Sequence, residues 1–444
     1  MNRHLLCISY RFPPETYPLT SRVKNMLEHL EASWDITAIT AAKDPRVGKN
    51  IEIHRVPPAT PERAFRWLKR LRLGKLIDLF VWPDAFIFWI VPALFEARRQ
   101  LRKRRPDAIL VFMMPYSSGI LGLLLKRLTG LPLVFNLNDS ITCSDMNPSH
   151  PTRLHYALAN WLENRFVRQA DALIYVSKRN VERIAARQPE KHRAKLRLIR
   201  RGARPLNRAD MAPPRDGTFR IVYTGGMSGW YPFLDDREAP SLGKRLYHAW
   251  MKLGRYRLVS LDHRSHSPVY IGLAIRQVIE RHPEWAGRIE ISVYGNQYPV
   301  ALVDRVLRMH EIEGFVHVYP PVPHAEVKDK VRQADLLFMA LPERTDGSPG
   351  GRISAKTYEY LMTDRPILAA VPAGENQEFL IDKPGVHLVG PRDTTAMAAV
   401  IERLAGVTFD GGDLAIDRTA FQVGMTNQAR AKAFADLLDQ VVRA

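Results

Sequence analysis

Twice along the chain, short apolar runs alternate with polar loops and segments of helical periodicity, and that alternation restricts the fold more than any other feature. The first series is HLLCISY (4–10), DITAIT (35–40), AILVF (108–112), LPLVFNLND (131–139) and ALIYVS (172–177). Between these runs lie helical patterns such as SRVKNMLEHLEAS and RLHYALANWLENRFVRQA. The second series is FRIVYTGG (219–226), RIEISVYGN (288–296), VHVYPPV (316–322), DLLFMAL (335–341), RPILAAV (365–371) and VHLVG (386–390). Strands separated by helices imply βαβ units and parallel sheets, with ligands at the carboxyl ends of the strands. Residues 201–218, rich in Pro, Arg and turn formers, read as the linker. The expectation is an α/β chain of two Rossmann-like domains, residues 1–205 and 206–419, with a C-terminal helix over 420–444.

Residues 348–372, SPGGRISAKTYEYLMTDRPILAAVP, read as one ligand-binding unit. Pro349, Gly350 and Gly351 permit a tight loop with close backbone approach; a helix then runs to Asp364, and Pro366 ends it ahead of a buried strand. On such a helix Arg352, Lys356 and Glu359 stand at i, i+4 and i+7 and share one face near a helix N-terminus, which favours anions. Two cations with backbone N–H groups suit a diphosphate, and a carboxylate suits ribose hydroxyls. The spacing alone equally fits an i,i+3 ion pair beside a solvated arginine. Gly225 and Gly226 end another expected strand, where backbone amides can reach a phosphate.

The 444 residues carry a formal charge of +19, very unevenly spread. Residues 1–200 hold 34 Lys+Arg against 17 Asp+Glu, and the remainder 31 against 29. A basic first half suits anionic headgroups, a lipid-diphosphate acceptor or nucleic acid. The two cysteines, Cys7 and Cys143, make neither a disulfide framework nor a metal-ligand spacing, and point to a reducing cytosol. The N-terminal apolar run is too short for a signal-peptide core and reads as a first strand. The run at 76–95 is interrupted by Asp78, Pro83, Asp84 and Pro92, and an ionised Asp costs roughly 3 kcal/mol at mid-bilayer, against a spanning helix. Residues 63–80 read instead as a basic amphipathic helix for a membrane interface, or as a surface helix with its stripe turned inward. Residues 230–266 form an insertion, far longer than the usual loop of ~4–6 residues. It reads as a surface helical hairpin of the second domain or a second membrane or acceptor contact.

AKTYEYLMTDRPILA (355–369) resembles the donor-site helix of retaining, nucleotide-sugar-dependent glycosyltransferases of the GT-B fold, family 4, and the resemblance continues in order through most of the chain. It implies two Rossmann-like domains facing a central cleft, the acceptor bound by the first, the donor by the second, and the last helix crossing back to the first. Lys356 and Arg352 would stabilise charge on the departing diphosphate. Glu359 would hold the ribose. Gly225, Gly226, Gly350 and Gly351 would supply amides, and Tyr294 and Gly295 would line the nucleotide. Arg264, past the insertion, is the candidate for a further diphosphate contact. FPPETYPLTSR (12–22) resembles the acceptor-side loop, and Asp139, ending LPLVFNLND, is the candidate polar group there, unless it caps a helix. Ser177 reads as a helix cap. The family often has a glutamate where this chain has Gly351, which leaves the donor sugar open.

No Asp-x-Asp occurs and no metal or other cofactor is expected. The implied activity is sugar transfer from a nucleotide-diphosphate donor to a hydroxyl acceptor, a lipid-linked saccharide or polysaccharide intermediate, at the cytoplasmic membrane face. An anionic membrane surface is an expected partner and nucleic acid is not. A sugar-nucleotide epimerase on the same fold is the enzyme rival, but carboxylates and a histidine for C2 chemistry are not evident. A basic nucleic-acid-binding protein is the other rival, but no such module is recognisable.

Overall fold

The protein is described by a computed structural model over residues 3–15, 20–142, 145, 148–206, 216–234 and 241–443. Cys143 and linker residues 207–215 lie outside the described residues. The chain divides into two compact units: residues 1–202, 240–258 and 427–444, and residues 203–239 and 259–426.

The first unit holds seven parallel strands, β1 (Arg3–Ser9), β2 (Trp34–Thr40), β3 (Ile51–Arg55), β4 (Ala108–Phe112), β5 (Leu133–Asn138), β6 (Ala172–Tyr175) and β7 (Leu196–Leu198). Their order is β3-β2-β1-β4-β5-β6-β7. The central strands read as unbroken apolar runs because both faces are covered. Leu6, Ile8, Ile109, Val111 and Phe135 enter one core, while Leu5, Cys7, Leu110, Phe112 and Val134 enter the other, the period-2 alternation of a strand. Strands β3 and β7 were not read from the sequence. Both are short edge strands, and no residue of IEIHR is buried.

The second unit holds six parallel strands, β8 (Phe219–Thr224), β9 (Ile289–Tyr294), β10 (Val316–Tyr319), β11 (Leu336–Ala340), β12 (Ile367–Ala370) and β13 (Val386–Val389), in the order β10-β9-β8-β11-β12-β13. All six match apolar runs of the second series. The strand order reverses between β8 and β11, so the carboxyl ends around β8 are the topological switch point where this fold leaves room for ligands.

Three sequence expectations need correction. The C-terminal segment is two helices rather than one: Thr419–Met425 stays with the second unit, and Asn427–Arg443 belongs to the first. Thr426 breaks it, in extended conformation, bridging Ala203. Phe434, Leu437 and Leu438 of the last helix pack with Val23, Leu27 and Leu30 of the helix Thr20–Leu30. Residues 63–80 are likewise two helices, Glu62–Arg70 and Gly74–Phe80, separated at Arg72 with φ 59°.

The insertion is not a hairpin on the second unit, since residues 240–258 cluster with the first. Its helix, Leu242–Lys252, is followed by Tyr256–Arg257, which pair antiparallel with Ser149–His150. The buried Lys75 ammonium donates to the carbonyls of Trp250 and Leu253, both at 2.6 Å, which anchors the end of that helix. Among the described residues no helix is long and apolar enough to cross a membrane. Residues 76–95 fold as the helix Gly74–Phe80, a turn, and the start of the helix Ile90–Lys103.

Candidate active site

At the end of β8 the chain turns through Gly225, at φ 108°, and its N–H bonds the carbonyl of Tyr294 on the neighbouring β9 at 2.5 Å. Gly295, at φ 119°, continues β9 so close to this turn that a Cβ there would stand 2.8 Å from Gly225 C and 3.1 Å from Gly226 N. Two glycines therefore permit a backbone approach that no side chain would allow. Gly226 is exposed at the turn. Tyr294 stacks on Tyr319, at the end of β10, with ring centroids 4.9 Å apart and planes 13° apart, an aromatic pair beside the glycine turn.

Lys356 meets the same turn from the helix Ala355–Leu361. A Cβ on Gly225 would stand 2.8 Å from both its Cε and its Nζ, and Nζ lies 4.8 Å from the centroid of the Tyr223 ring. Burial first, and the Arg352 charge second, press the ammonium pKa down to about 8, against the opposing pull of Glu359. Arg352, Lys356 and Glu359 thus share one electrostatic neighbourhood. The helix is nailed to β8 by Tyr360, whose hydroxyl accepts from Thr224 N–H at 2.9 Å and lies 3.1 Å from Thr224 Oγ1.

The helix is shorter than the sequence suggests, starting at Ala355 and ending at Leu361. Gly350 does not open it but bridges Gly374, with its N–H on the Ala373 carbonyl at 3.2 Å and its own carbonyl accepting from Glu375 N–H at 2.8 Å. Ser354 remains extended, its N–H donating to Asn376 Oδ1 at 3.0 Å. Residues 351–354 are consequently outside the helix, and Arg352 reaches the site from this segment rather than from the helical face shared by Lys356 and Glu359. Gly351 is buried and Glu359 exposed.

His266 is a site residue the sequence reading missed. Its Nε2 lies 2.9 Å from the Tyr223 hydroxyl, and its Nδ1 lies 2.9 Å from Ser228 Oγ. Burial, then the charges of Lys356 and Arg352, push its pKa down to about 3, so the ring is neutral at ordinary pH. Burial also raises the Tyr223 hydroxyl. The available signal was SHS after an insertion, which has no recognisable spacing to YTGGMSG. Arg264, two residues earlier, is exposed, and its backbone N–H bonds Asp262 Oδ1 at 2.8 Å. The fold brings its loop to the glycine turn, with Gly229 N–H on the His266 carbonyl at 3.0 Å.

In the first unit Asp139 follows β5, half-buried, after Asn138 at φ 54°. Among the described residues the next helix begins at Arg153, too far on for Asp139 to cap it. The turn it starts is held from beneath by buried Glu163, which accepts from Ser140 Oγ at 3.1 Å, Ile141 N–H at 3.1 Å, Thr142 Oγ1 at 2.6 Å and the Tyr175 hydroxyl at 3.0 Å. Burial raises the Glu163 carboxyl pKa, against these four donors. Ser177 caps the helix Lys178–Ala185 through Asn180 N–H, as the sequence suggests. Among the described residues no group of three or more His, Cys, Asp or Glu side chains could hold a metal ion.

Residues 19–202 match the family described as a glycosyl transferase 4-like domain. No curated protein is a significant sequence match. Solved structures share the fold over essentially the whole chain. Sucrose-phosphate synthase from Thermosynechococcus elongatus is 14% identical over 99% of both chains, with a TM-score of 0.61. An α,α-trehalose 6-phosphate synthase from Burkholderia multivorans is 13% identical over 100% of this chain and 97% of that one, at 0.60. Anabaena HepE, in complex with UDP, is 12% identical over 100% and 98%, at 0.53. The chain thus has the two-domain GT-B fold of these glycosyltransferases, and its residues 19–202 match a glycosyl transferase 4-like domain.

Proposed function

We propose that the second unit binds a nucleotide-diphosphate sugar at the carboxyl ends of β8 and β9, and that the enzyme passes the sugar, with retention, to a hydroxyl of a saccharide or lipid-linked acceptor held by the first unit. The observation that carries this is the Lys356 ammonium, packed against Gly225 at the topological switch point and pressed down by burial to a pKa of about 8. A buried cation of lowered pKa beside a glycine turn is matched by a diphosphate. Lys356 and Arg352 meet the phosphate oxygens together with the amide of Gly226, while the Gly225 N–H is taken by the Tyr294 carbonyl and shapes the turn; this charge stabilisation grows as the bond to the sugar breaks. Tyr294 and Tyr319 offer the base an aromatic wall, and Glu359 accepts from the ribose hydroxyls. Gly351 stands where the family has its glutamate, Gly350 shapes the loop through its bonds to Ala373 and Glu375, Arg264 is a further diphosphate contact, and Asp139, at the end of β5, is the polar group of the acceptor side. HepE, of the same fold, is known in complex with UDP and with UDP-glucose, which makes uridine diphosphate the first nucleotide to try.

Positive charge concentrated in residues 1–200 supports an acceptor carrying lipid-linked phosphate and a peripheral place on the cytoplasmic membrane face. No metal enters the proposal, because cationic side chains and amides answer the diphosphate, and turnover is expected to survive a chelator.

A thermal-shift screen over nucleoside diphosphates and their sugars tests the donor assignment. A matched ligand at 100 times its Kd stabilises by about 2.7 kcal/mol. Indifference to every nucleotide in the set would refute it. Glu359→Ala is expected to weaken donor binding by about ten- to a hundredfold, the worth of charge-assisted bonds to two hydroxyls, with the fold intact because the side chain is exposed. Calorimetric titration with UDP against uracil separates the ribose from the base; unchanged donor affinity would remove Glu359 from the site.

A further inference from the structure

We propose that the helices Glu62–Arg70 and Leu242–Lys252 together form a docking face for an anionic lipid bilayer, so that the insertion in the second half of the sequence completes a membrane surface on the first unit. This extends the membrane placement proposed above and rests on it, but not on the donor chemistry. Neither helix buries a single side chain. An amphipathic helix in a globular protein ordinarily buries its apolar stripe. Here large apolar side chains of both helices are left in the open, Trp67 at 61% exposure on the first and Leu242 at 70% and Leu246 at 63% on the second, with Leu71, Phe80 and Leu253 exposed just beyond them.

The inserted helix is held by the turn and the helix Gly74–Phe80 that directly follow Glu62–Arg70. The Lys75 ammonium holds the Trp250 and Leu253 carbonyls and lies 4.5 Å from the Trp250 ring centroid, while the Arg72 guanidinium lies 6.0 Å from that of Tyr247. The charge around the exposed apolar groups has one sign. Residues 62–80 hold six Lys+Arg and two Asp+Glu, and residues 241–258 hold five Lys+Arg and no acid. Apolar side chains interleaved with Lys and Arg match the headgroup boundary, where the apolar part enters the acyl region and the long cationic side chains reach phosphates. The same concentration of like charge opposes a second copy of this chain as the occupant.

Flotation of the full-length protein with phosphatidylglycerol and with phosphatidylcholine vesicles tests the proposal. The wild type is expected to float with the anionic vesicles only. Reversing Lys244, Arg245 and Lys252 to Glu is expected to weaken that partitioning by about a hundredfold, as three cations near an anionic surface contribute roughly fivefold each. Trp67→Ser with Leu246→Ser is expected to weaken it about tenfold or more without changing its dependence on salt. Stabilisation by UDP, measured on the same samples, is expected to be equal in all of them, so that loss of membrane binding is distinguishable from failure of the donor site. The proposal is overturned by a wild type indifferent to lipid charge. It is overturned equally if reversal of Arg66, Lys69 and Arg70 releases the protein while the triple reversal on the inserted helix does not. A dimer in sedimentation that the Trp67 and Leu246 substitutions dissolve would assign the face to a second copy instead.

Discussion

Lys356→Met is expected to make the free protein more stable and the enzyme nearly inactive. The ammonium ionises near 8 in the fold and at 10.5 in the unfolded chain, so the unfolded state binds more protons between those values. Below pH 8 the full cost of burying the charge is present; as pH rises from about 8 towards 10.5 the lysine sheds its proton in the fold and the cost disappears. Methionine keeps the packing against Tyr223 and removes the charge, a gain on the order of 2–3 kcal/mol at pH 7. Diphosphate binding moves the other way. UDP affinity of the wild type is expected to fall as pH climbs through about 8, when the ammonium deprotonates, whereas the variant binds weakly at every pH. His266, held near 3, does not titrate in this window. Turnover is expected to drop by about a hundred- to a thousandfold, the usual result of deleting a group aimed at developing negative charge. Denaturant melts and UDP calorimetry between pH 6 and 9.5 decide it. A variant that is less stable than the wild type, or that retains the wild-type affinity for UDP, would show that Lys356 is a packing residue.

What could be seen in the sequence, and what could not, follows from the range of the forces involved. Central strands such as AILVF and DLLFMAL announce themselves because burial on both faces demands an unbroken apolar run. IEIHR and LRL, at the sheet edge, answer to a weaker demand and were invisible. Ser177 was legible because capping is local. The end of the donor helix was not local. Gly350 is held extended by pairing with Gly374, and Ser354 by Asn376, partners some 20 residues away that only the folded chain supplies. His266 joined the site by the same kind of long-range contact, across an insertion whose length hides any spacing. The insertion itself was misplaced because sequence position assigns it to the second domain, whereas the Lys75 ammonium fixes it to the first.

Gly295→Ala is expected to abolish donor binding while Gly287→Ala, with a similarly unusual backbone, leaves it intact. Both glycines have positive φ, 119° and 74°, so both substitutions carry backbone strain, of order 1–3 kcal/mol. They differ in what the added methyl meets. At Gly287 nothing lies within 4 Å. At Gly295 the methyl would stand 2.8 Å from Gly225 C and 2.9 Å from its Cα, backbone that no rotamer change can clear. The glycine turn must then part from β9, breaking the Gly225 N–H bond to Tyr294 and drawing Gly225 away from Lys356, which adds about 1–3 kcal/mol of overpacking to the strain. Gly225→Ala meets only the flexible end of Lys356 and is expected to push the ammonium aside, with a smaller loss of stability and a comparable loss of affinity for UDP. Thermal unfolding and UDP titration of the three variants separate strain from geometry. Wild-type UDP affinity in a folded Gly295→Ala protein would mean that the turn between β8 and β9 is not where the diphosphate binds.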